Sequence, residues 1–219
     1  MRRLWFRVLA SIGFISLLGV GSKANAQLVN GDFEAGSYVF DGLGIDSLAV
    51  GSTAITGWTT VGAEIAVITQ PNRVAVTAES GNISLDLTGY HDSSPYGGIS
   101  QTVNTVAGRN YSLSFFLGSQ FGNVSIDVTT GLTTKRYTNS SGGPGPVWQQ
   151  YTDDFTATGE TVIQFLGISA TTGFYIPLDN ISLTGDFDAP VNTPEPGSFA
   201  LISGVAVAVV QISRRRHSK

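Results

Sequence analysis

The residues best equipped for chemistry fall into two groups. Tyr90, His91, Asp92 and Tyr96 crowd one connection, Thr88 to Gly97. Sugar rings present apolar C–H faces and polar edges, so aromatic rings beside carboxylate and imidazole groups suit them. Trp148 and Tyr175 would add to that set, although Trp148 also reads as a core residue ahead of a strand. The second group is acidic: Asp32, Glu34 and Asp179. If the first and last strands lie side by side, these carboxylates meet. Calcium takes about 6–8 oxygen ligands, so two or three carboxylates plus backbone carbonyls would hold a structural ion. Asp179 shares its strand parity with Ile181 and Leu183, which points it inward. An inward carboxylate needs a partner. The other reading is that Glu34 and Asp179 only accept backbone hydrogen bonds.

Catalysis finds little support. Glycosidases hold two carboxylates roughly 5–10 Å apart. Asp153 and Asp154 are adjacent and would point to opposite faces of a strand. Asp153 falls in phase with Tyr151 and Phe155, an inward acid that the sequence does not account for. His91 is the one histidine of the body, so a Ser-His-Asp arrangement would have to use it. There is no nucleophile motif, zinc-ligand spacing or phosphate loop. The expectation is a protein that is not an enzyme, with a hydrolase ranked last among the readings.

The elements that must position these residues are strands. In Asn110–Leu117, Tyr111, Leu113, Phe115 and Leu117 alternate with serines, the period of a half-buried strand. Ile83–Leu87 and Gly98–Val103 precede it, so a sheet would present the Thr88–Gly97 loop. Further strands are expected at Glu64–Ile68, Val74–Val76, Val124–Thr129, Lys135–Asn139, Trp148–Thr156, Thr161–Ile168 and Leu178–Leu183. Ser37–Thr53 reads as irregular, and no helical period is sustained between residues 27 and 189. About ten short strands between turn residues predict an all-β fold, a two-sheet antiparallel jelly-roll β-sandwich.

The ends are set apart from this body. Arg2, Arg3 and Arg7 precede an apolar run, Val8–Val20, and Ala24-Asn25-Ala26 fits a signal-peptidase site. Residues 1–26 therefore read as a signal peptide and 27–185 as one domain. Residues 186–198 form a linker rich in proline and acid, 199–213 a single transmembrane helix and 214–219 a basic cytoplasmic tail. Gly197–Ser213 would reach about 25 Å as a helix, slightly short of a bilayer core. The chain has no cysteine and a formal net charge of -4. Its body carries only Arg73, Arg109, Lys135 and Arg136 as strong bases, which disfavours nucleic acid as a partner.

Pro194-Glu195-Pro196, the short apolar helix and Arg214, Arg215 and Arg216 resemble the PEP-CTERM sorting signal of Gram-negative bacteria. The resemblance implies signal peptidase and an exosortase as partners during export. It also implies passage through the inner membrane and transient anchoring there. The destination would be the cell-envelope surface or a matrix of exopolysaccharide and biofilm. The body resembles the galactose-binding-like β-sandwich group of carbohydrate-binding modules and plant cell-wall proteins with an NGDFE start. The carrying residues are Asn30-Gly31-Asp32-Phe33-Glu34, Gly57-Trp58, Leu85-Asp86-Leu87, Gly98-Ile99-Ser100-Gln101-Thr102 and Leu178-Asp179-Asn180-Ile181-Ser182-Leu183. That resemblance implies a structural calcium near Asp32, Glu34 and Asp179, and extracellular polysaccharide as the ligand. The alternative expectation is a structural matrix or biofilm protein with no glycan site.

Overall fold

A computed structural model describes residues 27–170 and 175–185. The signal peptide, the linker with Pro194-Glu195-Pro196, the apolar segment and Arg214–Arg216 lie outside the described residues. Eleven strands are present: β1 (Ile45–Leu48), β2 (Thr59–Val61), β3 (Ile65–Thr69), β4 (Ile83–Asp86), β5 (Gly98–Val103), β6 (Asn110–Ser119), β7 (Val124–Thr130), β8 (Thr133–Asn139), β9 (Val147–Thr156), β10 (Thr161–Ala170) and β11 (Pro177–Gly185). They form a six-stranded sheet, β1-β3-β4-β11-β6-β9, and a five-stranded sheet, β2-β5-β10-β7-β8. The pairings between these strands are antiparallel. No described helix is long and apolar enough to cross a membrane.

The alternation in the sequence becomes the core. Tyr111, Leu113, Phe115 and Leu117 of β6 face Ile126 and Val128 of β7 and Ile163 and Phe165 of β10 in one cluster. Burying such a side chain contributes about 1.5–3 kcal/mol. Phe115 stands edge-on to Phe165 and Tyr137 and stacks on Tyr151, closing the β8–β9 side.

Three expectations need correction. Val74–Val76 forms no strand. The bend at Pro71 is followed by a run that lays Val76 over the outer face of the six-stranded sheet, against Ile45, Ala66 and Ile68. The segment treated as irregular contains β1, whose short run IDSL is too brief to show a period. The opening Leu28–Glu34 is not a strand beside β11; it turns at Gly31–Asp32 and meets β11 through Ile181 N–H to Gly31 O (2.8 Å).

Candidate functional site

The opening motif is a structural clasp. Asn30 adopts φ 52°, and its side chain binds Ala35 N–H, Ala35 O and Thr56 O. Its carbonyl accepts from Trp58 Nε1 at 3.0 Å. Any side chain at Gly31 would strike Ile181 O, 1.8 Å from the Cβ position. Phe33 is fully buried edge-on to Trp58, a core residue. Glu34 Oε1 takes the backbone N–H groups of Asn82 and Ile83 (2.6 and 2.8 Å), where β4 begins.

Asp179 does not point into the sandwich. The β11–β6 register slips between Asp179 and Ser182, with Asn180 at φ 48°. A one-residue slip moves a side chain to the other face. Asp179 therefore lies opposite Leu178, beneath the Glu79–Ser80 loop. Its Oδ2 accepts from Glu79 N and Ser80 N, and its Oδ1 from Asn180 N. Burial pushes its carboxyl up, and these three amides pull the other way. Asp32 is exposed. Among the described residues no group of three or more histidines and acids is placed to hold a metal ion. Asp32, Glu34 and Asp179 do not fit calcium as a set: two of them already serve backbone amides.

The aromatic loop residues fare differently. On the outer face of the six-stranded sheet a pocket of about 170 Å³ is lined by Tyr90, Asp92 and Tyr175, with Asp86, Ile45 and Ile68 beneath. It is smaller than the roughly 300–1,000 Å³ of drug-sized sites. Tyr90 is fixed at both ends: its hydroxyl donates to Asp41 Oδ2 (3.0 Å) and its N–H to Glu64 Oε1 (3.1 Å). The Asp41 bond also raises the phenol's pKa. Tyr175 sits at φ 30°, uncommon for an aromatic residue. The next amide, Ile176 N–H, donates to Asp86 Oδ1 at 2.7 Å and ties that turn to the pocket floor.

Asp86 is buried, and burial pushes its carboxyl up to about 7. Its Oδ1 also accepts from Thr88 N–H at 3.0 Å, while its Oδ2 meets the Thr88 hydroxyl at 2.9 Å. That hydroxyl also lies 3.2 Å from Asp92 Oδ1. Burial raises the Asp92 carboxyl as well. Two phenol rings and two acids, both raised by burial, thus converge on one hollow. It offers stacking faces beside polar groups.

The remaining sequence candidates scatter. His91 is exposed and stands edge-on to Tyr90, centroids 5.8 Å apart, without lining the pocket. Tyr96 turns back and packs against the main core. Trp148, half-buried, lies on the pocket's side of the sheet, with its ring over Gly118. The inward Asp153 is now accounted for: Lys135 Nζ of β8 pairs with its Oδ1, and Thr130 Oγ1 donates to its Oδ2. A second hollow, about 180 Å³, opens near that pair between the β7–β8 turn and β9.

Sequence reasoning missed Asp86 as a site residue. In Ile83-Ser84-Leu85-Asp86 the alternation does send Asp86 outward. It cannot show that other segments cover that outer face.

Fold and site together define a class: an antiparallel β-sandwich with an aromatic, acidic hollow on one sheet face. The chain belongs to the family described as "Protein of unknown function (DUF642)", which it matches over residues 26–181. No curated protein matches it. Among solved structures, the TmCBM61 module in complex with β-1,4-galactotriose is similar at 17% identity, TM-score 0.41, covering 74% of this chain and all of that one (100%). The K1 cleaved adhesin domain of Lys-gingipain from Porphyromonas gingivalis W83 is similar at 15% identity, TM-score 0.45, covering 65% of this chain and 98% of that one. The CBM22-1 xylan-binding domain of Paenibacillus barcinonensis Xyn10C is similar at 17% identity, TM-score 0.38, covering 69% and 99%.

Proposed function

We propose that this protein is a non-catalytic carbohydrate-binding module, exported and sorted to the cell surface or matrix by its two terminal signals. The carrying observation is the hollow walled by Tyr90 and Tyr175, with Asp92 at its side and Asp86 in its floor. A sugar ring would lie against a phenol face and donate hydrogen bonds from its hydroxyls to Asp92. The lining holds two acids and no lysine or arginine, which favours a neutral glycan over an anionic one. Export rests on the signal-peptide and PEP-CTERM patterns of the sequence.

The test is affinity electrophoresis of the full chain in detergent through gels containing neutral polysaccharides. Tyr175→Ala and Asp92→Ala are expected to abolish most of the retardation while leaving the melting temperature within a few degrees. Retardation equal to wild type in both variants refutes the site. A wild type retarded by no polysaccharide favours the purely structural matrix role. An alkaline phosphatase fusion that stays inactive would refute export.

A further inference from the structure

Trp148 shares a register row with the pocket floor. Asp86 of β4 pairs with Pro177 of β11, and Trp148 of β9 pairs with Gly118 of β6. Pro177 and Gly118 are neighbours: a Cβ at Gly118 would lie 2.8 Å from Pro177 Cβ and 3.1 Å from Trp148 Cζ3. Paired residues of a sheet point to the same side. Asp86, Pro177, Gly118 and Trp148 therefore run in one line across the outer face, opposite the core residues Leu85, Leu178 and Leu117.

The absent side chain at Gly118 has a consequence. The indole drops onto the backbone there and covers Pro177, which is buried, while Trp148 itself stays partly exposed. Part of the ring, its Nε1 included, is buried against the protein, and part meets solvent. Three strand spacings separate Asp86 from Trp148, about 14 Å. That span exceeds a single sugar ring. Polar groups along the line also lack partners. Trp148 Nε1 is buried with no hydrogen bond. So are both amide atoms of Gln120, which is 1% exposed and lies just past the end of β6.

Resting on the carbohydrate reading above, we infer that the site has two stations in this row, the Tyr90–Tyr175 hollow and Trp148 about 14 Å away. Its ligand is the interior of an extended neutral polysaccharide rather than a terminal sugar. One ring fills the hollow and a later ring of the same chain stacks on the indole. The acidic hollow and the absence of a basic side chain along the row exclude a sulfated or uronic chain as the preferred ligand.

The test measures affinity of the full chain in detergent for neutral β-1,4-linked galactan and xylan oligomers graded by length. For wild type, affinity is expected to climb with length beyond the first one or two sugars. Trp148→Ala should cut long-oligomer affinity about threefold to tenfold, the scale of one lost aromatic platform, and leave short oligomers unchanged. Trp148→Phe, which keeps a ring on Gly118, should recover most of the loss. Equal losses for short and long oligomers, or none, overturn the extended site while the pocket variants still lose binding. If the Tyr175 and Asp92 variants bind as wild type does, the carbohydrate reading itself falls instead.

Discussion

Asp86→Asn separates the charge of the pocket floor from its hydrogen bonds. The two backbone donors, Thr88 N–H and Ile176 N–H, both point to Oδ1, which an amide oxygen replaces. The Thr88 hydroxyl faces Oδ2, and it can accept from the new NH₂ group. The wild-type carboxyl titrates near 7 in the native state, against about 3.9 in an unfolded chain. Between those values the native protein holds a proton that the unfolded chain has released. Stability therefore falls as pH rises through that window and is flat above it. Three pH units at 1.36 kcal/mol each give about 4 kcal/mol, an upper figure for one group. For a domain of this size that is about 10 °C in melting temperature. The assay is thermal unfolding of both proteins at pH 4.5 and pH 7.5. The variant should gain about 10 °C on wild type between the two pH values. A difference that is the same at both would mean that Asp86 is already ionised at pH 4.5, and would refute this account of the pocket floor.

Asp179→Asn differs from Asp86→Asn in its hydrogen bonds, although burial raises both carboxyls. Its two oxygens both accept backbone N–H groups, so an amide must turn NH₂ toward a donor; a loss of about 1–3 kcal/mol, read as a lower melting temperature at pH 7, is expected. Lys135→Met should destabilise by about 2 kcal/mol in urea titration, because Asp153 is left buried without its cation, and the double change with Asp153→Leu should recover most of that. Equal instability of the single and double variants would show that the lysine stem, not the charge, matters.

The strands were legible wherever one face is buried and the other wet. β6 and β7 alternate cleanly, and both appear within a few residues of their expected ends. β1 was not legible, because four residues cannot show a period. Parity failed at Asp179 because it assumes an unbroken register, and the bulge at Asn180 breaks it. The acids of the opening and closing motifs suggested a metal by their type alone. Their geometry spends two of them on capping amides, a use that residue type does not reveal. In the loop, Tyr90 and Asp92 line the hollow and Tyr96 does not. The difference is a turn of the chain between them, invisible to composition. Tyr175 was found by its ring. Asp86 was hidden because its neighbours in space, Ile45, Ile68 and Tyr175, come from distant parts of the chain.

β11 starts at Pro177 beside the hollow and ends at Gly185, from which the chain runs on toward its tail. It is an inner strand, with β4 on one side and β6 on the other. Its two ends lie at opposite ends of one run, so a pull between them acts along the strand axis. The ladder bonds lie across that axis, so they resist together as a shear joint rather than opening one by one like a zipper. A force that parts the two ends of β11 would therefore load both of its ladders in shear.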